Sequence, residues 1–117
     1  MKVHLSASGF ELTTELEKYA NAKIAHLTRQ VPRKQRGAAA CQIHFAQVRK
    51  KKETVFSTCG ITFSLGDTEL KAEETTLHMY SALDIAAVHV EHQLKDYAAK
   101  QRKHRLLSRI KRHFRVD

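Results

Sequence analysis

The period of the apolar residues changes twice along this chain, and that change limits what it can fold into. Between Leu16 and Val31 they recur at Leu16, Tyr19, Ala20, Ile24, Leu27 and Val31, the three-and-four step of a helix with one buried stripe. Three runs then alternate with period two. Cys41, Ile43 and Phe45 interleave with Gln42 and His44. Val55, Cys59, Ile61 and Phe63 share one parity against Thr54, Thr58 and Thr62, and Leu70 and Ala72 alternate with Glu69, Lys71 and Glu73. The helical step returns at Tyr80, Leu83, Ala87, Val90, Leu94 and Tyr97. Alternation in three neighbouring runs predicts an antiparallel meander with one face covered. The two single-striped helices predict what covers it.

Local signals set the boundaries. Val3, Leu5 and Ala7 alternate with Lys2, His4 and Ser6 before Gly9, which predicts a short first strand. Thr13 or Thr14 is the expected N-cap of the first helix, with Glu15 and Glu17 in its first turn and Thr14 and Glu17 spaced as a capping box. Pro32 stops that helix near Val31, and Arg33, Lys34, Arg36 and Gly37 read as a basic loop. Arg49 to Lys52 forms a polar hairpin connection, and Gly66-Asp67 a turn. The resulting order, β-α-β-β-β-α, is an α+β fold with a four-stranded sheet and two helices packed on one face. We expect one domain over residues 1–98 and a basic, helical extension over 99–117. Within the extension, Leu106, Leu107, Ile110 and Phe114 either prolong the helix as a sharper amphipathic tail or fray without a partner.

Charge is where function first becomes visible. The formal net charge is +9, and it is concentrated at one end. Residues 100–117 hold eight bases (Lys100, Arg102, Lys103, Arg105, Arg109, Lys111, Arg112 and Arg115) against the single acid Asp117, whereas residues 1–99 hold 13 bases and 11 acids. A block of like charge repels itself unless a polyanion is present; nucleic acid is the first expectation and an anionic membrane surface the second. Lys50 to Lys52, by contrast, read as a solvated hairpin.

Signals for chemistry are missing. Cys41 and Cys59 lack the spacing of a redox or zinc pair and sit in strand-like apolar runs, as buried free thiols of a reducing cytoplasm do. His89 and His92 are three apart on a helix, and His104 and His113 lie in the tail, but no acid or cysteine beside them completes a ligand set, so no metal is expected. No nucleophile elbow or phosphate-cradling glycine loop occurs. Glu73, Glu74 and Asp84 read as solvated charges. We therefore expect no enzyme, no cofactor and no small-molecule substrate. Phe45, Phe63, Tyr19, Tyr80 and Tyr97 fall on core positions; Phe56 is off parity among the strand runs, and one such aromatic is too little for a base-stacking platform. No apolar run is long enough to span a membrane and no signal peptide is evident, so the cytoplasm is the default address.

The stretch from Gly66 to Leu94, GDTELKAEETTLHMYSALDIAAVHVEHQL, resembles the ribosome hibernation promoting factor family, also called ribosome-associated inhibitor or factor Y. The residues that carry the likeness are Glu69, Leu70, Ala72, Met79, Tyr80, Ala82, Leu83, Asp84, Gln93 and Leu94, with Leu12-Thr13, Leu16, Lys23 and Leu27 near the N-terminus. It covers about residues 1–98. The resemblance implies a fold related in shape to double-stranded-RNA-binding domains. It also implies binding to the small ribosomal subunit and its ribosomal RNA, in the channel that mRNA and tRNAs use, with translation silenced by occlusion in stress or stationary phase. Bases on two helices would meet ribosomal RNA phosphates, and the matching positions are Lys23, His26 and Arg29 on the first helix and His89, His92 and Lys95 on the second.

The chain departs from that pattern. Positions 26, 89 and 92 are usually Lys or Arg in the family and are all His here; Asp96 and Ala98 stand where relatives carry more bases, and His78 replaces an acid. A neutral imidazole neutralises no phosphate, so Lys100, Arg102, Lys103, Arg105, Arg109, Lys111 and Arg112 are expected to supply the missing charge. The chain is expected to be a short form without a dimerising domain of its own. The alternative reading is a general RNA-binding or anionic-surface-binding module of the same fold with a different target.

Overall fold

In the computed structural model, which describes residues 1–50 and 53–113 with the side chains of 111–113 excepted, the chain forms β1 (Lys2–Ser8), α1 (Thr14–Thr28), α2 (Arg33–Arg36), β2 (Ala40–Lys50), β3 (Thr54–Ser64), β4 (Glu69–Thr76) and α3 (Met79–His113). The strands lie in the order β1-β2-β3-β4. β1 is parallel to β2, and the other pairs are antiparallel. The parallel pair requires a crossover, and α1 supplies it. The expected α+β architecture, two main helices on one face of a four-stranded sheet, is the one formed. Lys51, Lys52, Phe114, Arg115 and Asp117, on which some of the sequence expectations fall, lie outside the described residues, as do the side chains of Lys111, Arg112 and His113.

The core follows the two periods. Leu16, Ala20, Ile24, Leu27 and Val31 come from α1 and the loop after it, and Cys41, Ile43, Phe45, Cys59, Ile61, Phe63 and Leu70 from the inner sheet face. The stripe of α3 is Met79, Ala82, Leu83, Ala86, Ala87, Val90, Leu94 and Tyr97. Burial pushes the thiols of Cys41 and Cys59 up to about 12, which keeps them protonated and unreactive near neutral pH.

Of the two expected caps of α1, Thr13 is the one used: its hydroxyl accepts from the Leu16 N–H at 3.2 Å. Three other local expectations need correction. α1 ends at Thr28 and tightens into short-range turns, in which the N–H of Gln30 bonds the Leu27 carbonyl and that of Val31 the Thr28 carbonyl. The basic loop contains the α2 turn, and Arg36 donates from it to the carbonyls of Val31 (3.0 Å) and Arg29 (3.1 Å), groups that a helix end leaves without partners. Tyr80 is not core. Its ring is 43% exposed because at 100° per residue it falls beside the stripe, where its ring meets Tyr19 edge-on at 5.0 Å. At the sheet margin Leu5 and Ala7 are half-buried and Val3 is exposed, as befits an edge strand covered on part of one face.

Gly9 fixes the exit from β1. Its φ is +80°, and a Cβ there would collide with the backbone carbonyl oxygen of Gln47. We predict that Gly9→Ala lowers stability by roughly 1–3 kcal/mol, the cost of a strained backbone residue. Gly37→Ala, with ordinary φ and open space around it, should leave the urea midpoint nearly unchanged.

Candidate nucleic-acid interface

α1 and α3 run side by side on the sheet, and a polar seam joins them. Positions 19, 23 and 26 of α1, with 30 in the turn after it, and 84, 91 and 95 of α3 fall on facing flanks because residues three, four and seven apart share a helix side. Asp84 Oδ1 accepts from the Tyr19 hydroxyl at 2.6 Å and pairs with Lys23 Nζ at 3.0 Å. The Lys23 ammonium also sits 5.1 Å from the centre of the Tyr19 ring. Two turns further, Glu91 pairs through one oxygen with His26 Nε2 and through the other with Lys95 Nζ, each at 3.0 Å. Gln30 Nε2 lies 3.3 Å from the same His26 nitrogen, which cannot donate to Glu91 and accept from Gln30 at once. Donation to the carboxylate is the stronger bond. The Gln30 Oε1 is buried without a hydrogen-bond partner.

The other flank of α3 is fastened to β4. His89 Nε2 pairs with Glu74 Oε1 at 3.2 Å, because Glu74 stands opposite Cys59 on the helix-facing parity of β4. Gln93 accepts from the Lys71 N–H at 3.2 Å and donates to the Lys71 carbonyl at 2.8 Å, so its amide completes the outer edge of the strand as a peptide group would. Tyr97 closes the contact by donating to Asp67 at 3.2 Å.

The predicted bases therefore divide into two sets. Lys23, His26 and Lys95 gather in the seam, but each faces an acid of α3, while His89 is drawn to the opposite flank. Asp84 and Glu74, read from sequence as solvated, are the partners that hold these groups. Arg29 and His92 are exposed and form no ion pair among the described residues. Past Tyr97, α3 leaves the sheet and continues as helix to His113. Here Lys100, Arg102, Lys103, Arg105 and Arg109 are all exposed, and none meets an acid among the described residues. Arg102, Arg105 and Arg109 share one side by spacing. Leu106, Leu107 and Ile110 are 59%, 47% and 44% exposed, so the extension also carries bare apolar side chains. Among the described residues, no group of three or more His, Cys, Asp or Glu is placed to hold a metal ion, and no helix is long and apolar enough to cross a membrane.

Four groups of the seam are shifted by their immediate neighbours. Partial burial acts to raise Asp84, but the hydrogen bonds from Tyr19 and Lys23 and the Lys23 charge outweigh it and hold the carboxyl below its ordinary value. Glu91 is lowered chiefly by the Lys95 bond, against partial burial and with help from His26. Lys23 is raised, first by its bond to Asp84, and so is Tyr19.

A family model described as Sigma 54 modulation protein / S30EA ribosomal protein matches residues 3–102. Among solved structures, the Protein Y N-terminal domain of Thermus thermophilus superposes with a TM-score of 0.68 at 21% identity, covering 83% of this chain and 99% of that one. A ribosomal subunit interface protein from Coxiella burnetii gives 0.66 at 21%, covering 85% and 99%. Among curated proteins nothing matches. The family model stops at residue 102, so Lys103, Arg105 and Arg109 lie beyond it.

Carboxylates lowered in the fold stabilise it above their unfolded pKa values, and that contribution disappears as pH falls through the folded ones. The urea midpoint should therefore drop as pH falls below about 4.5, near the ordinary values of 3.8 and 4.5. Asp84→Asn should lower the midpoint at neutral pH and flatten this acid limb; an unaltered limb would show that the seam does not set it.

Proposed function

The chain belongs to the Sigma 54 modulation protein / S30EA ribosomal protein family, and on that footing we propose that it is a ribosome-binding translation inhibitor, a hibernation factor. It acts by occlusion: it lies in the mRNA and tRNA channel of the small subunit, against ribosomal RNA, and does no covalent chemistry. The observation that carries this reading is the projecting half of α3. Five exposed cations between Lys100 and Arg109 face no described acid, on a chain that otherwise matches the ribosomal family. Phosphate contacts from such a surface give affinity without reading sequence, and an A-form RNA surface is recognised chiefly through its shape, phosphates and 2′-hydroxyls.

Residues 1–98 act as the docking body and 99–117 as the electrostatic anchor. Within the body, Arg29 and His92 are available to phosphates as they stand. Lys23, His26 and Lys95 contribute while still bound to Asp84 and Glu91, which reduces their attraction for an anion. The same pairing favours a second reading, a general RNA-binding module whose target is not the ribosome, because a body surface balanced by its own acids selects little.

Sedimentation of a stationary-phase extract separates the two. Co-migration with small subunits and whole ribosomes is expected, and protein found only in the free fractions would defeat the ribosomal reading. Cutting the chain after Ala99 should weaken subunit binding and reduce the slope of log affinity against log salt by about 0.7–0.9 for each phosphate that is no longer neutralised. An unchanged slope removes the extension from the interface. Asp84→Asn with Glu91→Gln should strengthen binding at low salt if the seam faces RNA, and leave it unaltered if the seam faces away.

A further inference from the structure

Between the α2 turn and the projecting part of α3 lies a cavity of about 260 Å³, lined by Pro32, Arg33, Lys34, Gln35, Gln101 and Arg105. Its charge is one-sided, for three cations and two amides line it and no acid does. The cations come from segments far apart in sequence, so the fold gathers them, not a local run. Arg36 of the same turn is already engaged with the carbonyls that end α1, and this contact fixes the turn that presents Arg33 and Lys34. Unlike Lys23 and Lys95, the cations of the cavity form no ion pair among the described residues. The Gln35 Oε1 is buried without a hydrogen-bond partner.

We propose that this cavity is a phosphate site that takes one phosphodiester of an RNA backbone and thereby fastens the projecting helix to the body. The inference rests on the RNA-binding reading above and names a subsite within it. Each guanidinium presents a planar fork of donors that matches two phosphate oxygens, and Lys34 adds a compact charge. Like charges brought to one cavity repel, and a shared anion removes that repulsion. The extension is then held by the body as well as by the RNA, through contacts that exist only when the phosphate is bound.

The test is a mutant cycle on the full chain, read as binding to a double-stranded RNA hairpin across a salt series. In the wild-type background Arg105→Gln should weaken binding and lower the salt slope by about 0.7–0.9. In the Arg33→Gln, Lys34→Gln background it should change little further, because the shared phosphate is already gone. Arg109→Gln, one turn along the helix, should cost the same in both backgrounds. Equal losses from Arg105→Gln in the two backgrounds would mean independent surface charges and would overturn the site. Inorganic phosphate alone, followed by phosphorus NMR, separates the sources. If free phosphate binds through these cations while the RNA cycle is additive, the cavity serves a free anion and the RNA assignment falls. The hairpin contains nothing of the ribosome, so an intact cycle without subunit binding would reject only the ribosomal reading.

Discussion

One sheet face has room for only part of one helix, and most of the molecule follows from that mismatch. The longest strands have 11 residues and span about 36 Å. α3 has 35 residues and reaches about 52 Å. Its apolar stripe ends at Tyr97, where the sheet ends beneath it and the Asp67 turn takes the tyrosine hydroxyl. What remains has nothing to pack on. The long axis of 72 Å against widths of 25 and 18 Å records the overhang.

The covered part is organised differently. Its cations are answered from within the chain by acids placed two turns apart on α3, at 84 and 91. Exposed pairs of this kind contribute only about 0.2–1 kcal/mol each, so the packing of α1 and α3 rests on their apolar stripes. The pairs cancel much of the field that α1 would present to an anion. On the proposed reading the body supplies shape and the overhang supplies charge, a division that the three histidines at 26, 89 and 92 fit. His26 and His89 have become ligands of Glu91 and Glu74, leaving only His92 of the three facing outward without a partner among the described residues.

The fold was readable because period and punctuation agreed at nearly every boundary. Three alternating runs gave the meander, and the stripes of α1 and α3 gave the cover. Where the pattern misled, the cause was local geometry. The α2 turn carries no apolar stripe to mark it, and Tyr80 steps correctly by three and four yet falls a fraction of a turn outside the buried arc. The seam was harder to see. Tyr19 and Asp84, like His26 and Glu91, are 65 residues apart, and nothing in either helix alone shows that they meet. A faint signal existed, since both helices repeat their polar partners at a spacing of seven. The Arg33, Lys34 and Arg105 cluster had none at all: a basic loop and a basic tail each look ordinary until the chain folds them around one cavity.

Stability in the overhang and affinity for a polyanion are the same quantity seen from two sides. Residues three or four apart on a helix lie about 5–6 Å from each other, inside a Debye length of about 8 Å at physiological salt. Arg102, Arg105 and Arg109 on one side, and Lys100 and Lys103 on another, therefore repel within the helix they form. Arg, Lys and Leu are good helix formers, which is enough to permit helix but leaves that repulsion uncompensated. A phosphate backbone that meets charges held in a row on a helix lowers this repulsion. On the proposed reading, RNA binding and helix formation past Tyr97 reinforce each other, while salt weakens the RNA contact and screens the repulsion within the free helix. A chain that concentrated the same charge in a disordered tail would have to order it on binding and bear that entropy in full. Continuing a helix already anchored on the sheet avoids the costly nucleation step, and this is the physical advantage of building the anchor as an extension of α3.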